Sequence, residues 1–169
     1  MNSRGNGVCH PERENRLTVS ALITPAKTYD IRRNFMLAYL WIAIGGAIGS
    51  MARYFIGGVV SEHFAQSQSQ AFPWGTLVVN ISGSFVIGIL GAVTDAGGRM
   101  TPQSRVFATQ LLITGVCGGY TTFSSFSLQT LRLLQDREWL YAGGNVLLSV
   151  VLCMLAVWLG YLLGSIFNR

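Results

Sequence analysis

The stretch GVCGGYTTFSSFS, residues 115–127, decides how the third apolar segment of this chain folds. It holds a glycine pair, a threonine pair and two phenylalanines three positions apart. Glycine and threonine are weak helix formers, so the sequence predicts a helix break between Gly118 and Thr121. A break inside a bilayer frees carbonyl oxygens that water does not reach, and such carbonyls often bind a cation such as Na⁺. Phe123 and Phe126 then share one face of the following half-helix, as lipid-facing, core or functional residues.

The composition of the whole chain is that of a membrane protein. Of 169 residues, 50% are hydrophobic and only 11% are charged, against roughly a quarter charged in soluble domains. Four nearly uncharged stretches, 34–52, 74–94, 106–131 and 139–168, are each long enough to cross a bilayer as a helix. We therefore predict an all-α membrane protein with four transmembrane helices, the third of them broken. We expect it to lie in a lipid bilayer and to be neither an enzyme nor a nucleic-acid-binding protein.

Residues 1–35 differ from the rest of the chain. They carry six of the twelve Lys and Arg residues and three acids, without apolar periodicity. Their best apolar run, 17–24, is short, which makes a cleaved signal peptide a poor interpretation. The segment is either a disordered extension or lies upstream of a true start at Met36. We divide the chain into this extension and a transmembrane domain over 36–169.

Basic residues orient membrane helices because cytoplasmic loops carry an excess of Lys and Arg. From Met36 onward the arginines are shared equally between the two sides of the predicted spans: Arg99, Arg105 and Arg169 on one, and Arg53, Arg132 and Arg137 on the other. This balance indicates a core that can insert in either direction. When residues 1–35 are included, nine Lys and Arg residues lie on the N-terminal side and three on the other, which favours a cytoplasmic N-terminus.

Polar side chains in the second span follow one helix face. Thr76, Asn80 and Ser84 stand at i, i+4 and i+8. A buried amide in a lipid-embedded helix costs free energy unless it is paired. Asn80 therefore either holds helices together or lines a wet path. Glycine pairs at helix-contact spacing, Gly45 with Gly49 and Gly160 with Gly164, predict close helix packing, and four helices enclose so little interior that an oligomer is expected.

Ionisable residues are nearly absent from the four stretches. No Asp or Glu lies inside them, which argues against transport driven by a membrane carboxylate. Arg53, at the predicted end of the first helix, either snorkels to the interface or sets a positive potential at an aqueous vestibule. Neutral donors and aromatic edges line what remains of the interior, and such weak sites suit conduction of a small anion.

Three motifs in order, GGAIGSMARY (45–54), GTLVVNISGSF (75–85) and GVCGGYTTFSSFS (115–127), followed by a helix with a mid-span serine, closely resemble the Fluc/CrcB family of fluoride channels. The resemblance covers residues 36–167. It implies an antiparallel, dual-topology homodimer in the bacterial inner membrane, with two fluoride pathways and a central structural Na⁺. The implied activity is passive efflux of cytoplasmic fluoride, which reduces its toxicity.

The resemblance also implies roles for individual residues. Backbone carbonyls of Gly118 and Thr121 from both subunits would hold the Na⁺. The implied fluoride pathway consists of Phe123, Phe126, Asn80, Thr76 and Ser149, with Arg53 at the vestibule. Two positions depart from the common pattern, since many members have Glu in place of Gln129 and Tyr in place of Asn145.

Two other functions stay open at this stage. A small dual-topology multidrug or cation exporter has a similar size and topology, but needs a membrane-embedded acid. A membrane assembly factor without transport activity would need only the glycine pairs, and leaves the break and the Phe pair unexplained. The orientation bias of residues 1–35 also leaves a paired heterodimer as an alternative to the homodimer.

Overall fold

The computed structural model describes residues 25–65, 72–95 and 100–167, with side chains from Met36 onward. The predicted extension, 1–35, lies largely outside these residues and stays a prediction. Every predicted site residue lies in one compact unit, Ala38–Arg169. In the described part of the chain four helices are long and apolar enough to cross a membrane, as predicted: Met36–Phe64, Trp74–Val93, Pro102–Gln135 and Trp139–Phe167.

These four spans, called first to fourth below, are built from helices of different regularity. The first belongs to helix α1, Pro25–Ala65, the second is α2, Trp74–Val93, and the fourth is α6, Trp139–Phe167. The third span is composite: α3 (Pro102–Ala108), a π-helical segment (Thr109–Cys117), α4 (Gly118–Tyr120) and α5 (Phe123–Gln135). The predicted all-helical, four-span architecture with a broken third span is therefore confirmed.

The first span is longer than predicted, which moves one important side chain. We ended it at residue 52 because Arg53 is charged, but the helix continues to Ala65. Arg53 consequently lies near the middle of the span Met36–Phe64 and not at its end. Glu62 joins the last turn of this helix, where it is exposed. Because Arg53 lies within the span, it no longer counts as a flanking residue. The flanking arginines of the core then number three on one side of the membrane and two on the other, so the two sides stay close to balanced.

The break in the third span does not fall at the glycines. Gly118 and Gly119 are helical, and the extended residues are Thr121 (φ −80°, ψ 156°) and Thr122 (φ −151°, ψ 114°). The Thr121 amide and its hydroxyl both donate to the Cys117 carbonyl, at 2.9 and 3.0 Å, which closes the first half-helix. The Thr122 hydroxyl accepts from the Ser125 amide at 3.1 Å and caps the second half-helix.

The glycine pairs at helix-contact spacing act in packing, as predicted. A Cβ on Gly45 or Gly49 would collide with backbone atoms of the third span, and one on Gly160 or Gly164 would collide with the second span. Gly119 contacts the first span in the same way, since its Cβ would lie 2.5 Å from the carbonyl oxygen of Gly46. Small residues thus let these backbones touch where lipid supplies no hydrophobic drive.

Candidate functional site

The break is held open by an amide side chain from the second span. Asn80 Nδ2 donates to the Thr122 carbonyl at 3.1 Å, and Asn80 Oδ1 accepts from the Thr122 amide at 2.8 Å. The side chain of Asn80 therefore takes the place of a backbone partner for both polar groups of Thr122. Buried backbone groups without such partners would cost free energy in a lipid environment. Asn80 thus holds two helices together, which is the first of its two predicted roles.

A cavity of about 400 Å³ lies on one side of this pair, and we call it the phenylalanine cavity. Its polar and aromatic lining is Asn80, Ser84, Thr121, Thr122, Phe123, Phe126 and Ser149, with Ile87, Val150, Cys153 and Met154 completing the wall. The structure therefore brings together four of the five residues of the predicted fluoride pathway. Asn80 also lines this cavity, which is the position that its second predicted role, lining a wet path, requires.

The two phenylalanines differ in their surroundings. Their ring centroids are 5.4 Å apart and the planes are inclined by 45°. Phe126 is buried, whereas Phe123 is 78% exposed. In a membrane, lipid or a second subunit would contact a ring exposed in this way. One chain therefore forms the inner wall of the phenylalanine cavity and leaves its outer wall open.

A second cavity of about 510 Å³, the arginine cavity, is lined by Arg53 and by hydroxyl and amide side chains. Its polar lining is Ser50, Arg53, Tyr54, Ser61, Thr76, Thr122, Ser125 and Gln129, and the remainder is glycine and Val79. Thr122 lines both cavities. Thr76 stands here and not beside Asn80 in the phenylalanine cavity, so the structure separates it from the rest of the predicted pathway. Thr76 and Asn80 are one helical turn apart, yet they line different cavities, and Thr122 lines both of these cavities.

Arg53 points into the protein. Its Nη1 donates a long hydrogen bond of 3.5 Å to the Thr121 carbonyl, and the side chain is half-buried. This contact contradicts the interpretation in which Arg53 snorkels to the membrane interface. Neither cavity is lined by an Asp or Glu in the described part of the chain. The arginine cavity therefore carries a positive charge without a carboxylate to balance it, as an aqueous vestibule for an anion requires.

The two positions that depart from the family pattern, Asn145 and Gln129, lie in different parts of the structure. Asn145 is buried and lines neither cavity; its Nδ2 donates to Thr130 Oγ1 at 2.8 Å, and its Oδ1 accepts from Ser149 at 3.5 Å. Thr130 in turn donates to the Phe126 carbonyl at 2.8 Å. Asn145 therefore joins the fourth span to the helix that carries Phe126. The sequence analysis missed this role, although the cost of a buried amide, argued for Asn80, applies equally to Asn145.

Gln129 lines the arginine cavity, and its Oε1 is buried with no hydrogen-bond partner among the described residues. A neutral amide at this place adds hydrogen-bonding capacity but no negative charge. The Gln129 side chain, on helix α5, therefore does not neutralise the positive charge of Arg53.

At the break, a cation would have to be held by neutral oxygens such as backbone carbonyls. No cluster of three His, Cys, Asp or Glu suited to a metal is found in the described ranges. The amide that would normally bind the Gly118 carbonyl belongs to Thr122 and is taken by Asn80. No donor to the Gly118 carbonyl is found among the described residues. Carbonyl oxygens are hard ligands of the kind that Na⁺ prefers, so Gly118 and Thr121 fit the implied ion.

Comparison with known proteins agrees with these motifs. Residues 40–161 match a family model described as CrcB-like protein, Camphor Resistance (CrcB). The "Fluoride-specific ion channel FluC" of Opitutus terrae is 54% identical over 127 residues, which are 75% of this chain and 92% of that protein. Proteins of the same name from Methylocella silvestris and Rhodospirillum rubrum are each 49% identical, over 78% and 79% of this chain and 95% and 98% of their own lengths.

Proposed function

The chain belongs to the CrcB-like protein family, and we propose that it is a fluoride-selective ion channel through which cytoplasmic fluoride leaves the cell passively. The names of the similar proteins support fluoride as the ion. A negative-inside membrane potential assists the exit of an anion by about 2.3 kcal/mol per charge per 100 mV. We place the channel in the inner membrane of a bacterium, as a multi-pass protein.

The observation that carries this proposal is the lining of the phenylalanine cavity. It combines the Asn80 amide, the Ser84 and Ser149 hydroxyls and the two phenylalanine rings, with no Asp, Glu, His, Lys or Arg in the described lining. Hydroxyl and amide donors replace part of the hydration shell of a small anion, and the positive edges of aromatic rings attract it weakly. Conduction needs sites of this kind, because an ion that binds too strongly does not leave. A proton-coupled exporter would instead need a carboxylate here.

The working unit that we propose is an antiparallel homodimer of dual topology. The nearly balanced arginines of the core support insertion in both directions. The large exposed fractions of Phe123 (78%) and Tyr54 (86%), on the open sides of the two cavities, support a second copy that covers them. Each pathway would then be completed by residues of both subunits.

We further propose that Gly118 and Thr121 carbonyls from both subunits hold a structural Na⁺ at the dimer centre. When bound, the ion would supply positive charge to carbonyls that lack a helical partner. Asn80 contributes to this site indirectly, because it occupies the Thr122 amide that would otherwise bind the Gly118 carbonyl. Thr121, extended and followed by the cap of the next helix, carries its carbonyl out of the helical ladder.

The channel proposal is tested by anion efflux from liposomes. Purified protein is reconstituted, the vesicles are loaded with potassium fluoride or potassium chloride, and an ionophore for K⁺ relieves the membrane potential. We expect rapid fluoride release and little chloride release. Equal release of the two anions, or none, would show that the chain is not a fluoride channel.

A further inference from the structure

Arg53 occupies an unusual place for a charged residue in a membrane helix. It lies near the middle of the first span, half-buried, with Nη1 3.5 Å from the Thr121 carbonyl oxygen. A charge at this depth needs a partner, and carboxylates are absent from the described lining of its cavity. The break in the third span is the partner that the structure supplies.

The Thr121 carbonyl is also one of the two oxygens assigned above to the structural cation. A guanidinium and a cation at the same oxygen share its lone pairs and repel each other. We propose that Arg53 and the cation compete for the Thr121 carbonyl, so that Arg53 is a positioning residue that supports the break when the cation is absent. The inference rests on the cation site of the proposed function.

Other groups at the break are outside this competition. Asn80 satisfies both the amide and the carbonyl of Thr122. The Gly118 carbonyl has no described donor and is left for the cation alone. Gln129, which faces the same cavity, is neutral and does not offset the charge of Arg53. The balance between arginine and cation is therefore concentrated on one oxygen atom.

The test is a titration of thermal unfolding with Na⁺. Full-length protein in detergent is melted at increasing NaCl, with N-methylglucamine chloride keeping the ionic strength constant. Arg53→Gln removes the charge and Arg53→Lys retains it. Arg105→Gln is the matched control, because Arg105 Nη2 also lies 3.5 Å from a backbone carbonyl, that of Met100, but at the start of the third span and away from the break.

We expect Arg53→Gln to melt at a lower temperature than the parent in Na⁺-free buffer and to be rescued by Na⁺. Its half-maximal Na⁺ concentration should fall by roughly tenfold, because a like charge near the site is gone. Arg53→Lys and Arg105→Gln should respond to Na⁺ as the parent does.

Three results would overturn the competition. The first is an equal, measurable Na⁺ response in the parent and in Arg53→Gln, which would leave the cation site standing. The second is no Na⁺ response in any variant, which would remove the cation site as well. The third is failure of Arg53→Gln to assemble at every Na⁺ concentration, since Na⁺ should rescue it. None of these readouts uses fluoride flux, so each is distinct from failure of the channel proposal.

Discussion

The first and third spans contain similar sequences and behave differently. Each has a Gly–Gly pair in its interior, at 57/58 and 118/119, yet the first span is one continuous helix and the third is interrupted. The pairs at 45/46 and 143/144 are helical as well. At these four described pairs, therefore, glycine does not break the helix. The third span breaks at Thr121 and Thr122, just after its Gly118/Gly119 pair. There the Thr121 carbonyl is bound by Arg53, and the Thr122 amide and carbonyl are bound by Asn80.

The contrast between these spans indicates that a helix in lipid ends where another group can take over its hydrogen bonds. In the first span the backbone around Gly57 and Gly58 stays helical, and no side-chain hydrogen bond to these two residues is found among the described residues. In the third span the Asn80 amide binds both polar groups of Thr122. If the helix were interrupted without such a partner, backbone amides and carbonyls inside the bilayer would have no hydrogen bond.

Removing the partner should have the largest effect. Asn80→Leu leaves the amide and carbonyl of Thr122 unpaired, and at about 1 to 3 kcal/mol for each buried group we expect the free energy of unfolding to fall by roughly 2 to 6 kcal/mol. Fluoride flux should also be lost, because Asn80 lines the phenylalanine cavity. Ser84→Ala, one turn along the same helix and cavity, is the matched control and should melt within a few degrees of the parent. A stable, conducting Asn80→Leu protein would contradict the assigned role of this amide.

The second test separates packing from flexibility at the glycines. Gly119→Ala places a Cβ against the Gly46 carbonyl, so the first and third spans must move apart, at a cost of about 1 to 3 kcal/mol in the free energy of unfolding. Gly58→Ala also alters the second glycine of a pair, but its Cβ meets no atom within 4 Å. We expect Gly58→Ala to be neutral or slightly stabilising in chemical denaturation. If the two variants lost the same free energy of unfolding, the glycines would be needed for their backbone flexibility and not for the close contact between helices.

The third test concerns the aromatic rings that follow the break. Phe123→Ile and Phe126→Ile keep apolar bulk but remove the ring edge, and we expect each to reduce fluoride flux by about tenfold with the protein still assembled. Phe126→Ile should also lower the melting temperature because Phe126 is buried within its own chain, whereas Phe123→Ile should lower it less because Phe123 is largely exposed in its own chain. Liposome efflux and detergent melting measure the two effects separately. Parent-like flux in both variants would exclude the rings from the pathway.

The smallest expected effect is that of the cap. Thr122→Val keeps the shape of the side chain but removes the hydroxyl that accepts from the Ser125 amide, and losing an N-cap costs about 1 kcal/mol. Thr122→Ser keeps the hydroxyl and should remain close to the parent. Chemical denaturation of the two variants side by side measures the difference. A Val variant as stable as the Ser variant would show that Asn80 alone holds this end of the helix.

Much of the site could be predicted because its residues lie in recognisable local patterns. Asn80 and Ser84 share a helix face by spacing alone, and Phe123 and Phe126 do the same. Ser149 came from family resemblance, and the structure brings it to the same cavity. The roles of these residues in fluoride conduction stay predictions until flux is measured.

The errors in the sequence analysis have one physical origin. Arg53 was placed at a helix end because a charge normally ends a membrane span, but its guanidinium reaches a carbonyl that is 68 residues away in sequence. The break was placed between Gly118 and Thr121 because glycine and threonine are weak helix formers. Thr121 is extended as expected, but Gly118 and Gly119 are helical, because an amide 42 residues away decides where the helix opens. Thr76 was grouped with Asn80 by spacing, although Thr122 divides the face between two cavities.

Three features follow from the amino-acid sequence alone: the four spans, the near balance of the core's positive charges and the glycine contacts. Each of these follows from local composition, since lipid excludes charge and admits close approach only at small residues. Only the tertiary structure decided where the third span opens and what its carbonyls face. Those features depend on hydrogen bonds between distant segments, and a bilayer makes such bonds decisive because it offers no water in their place.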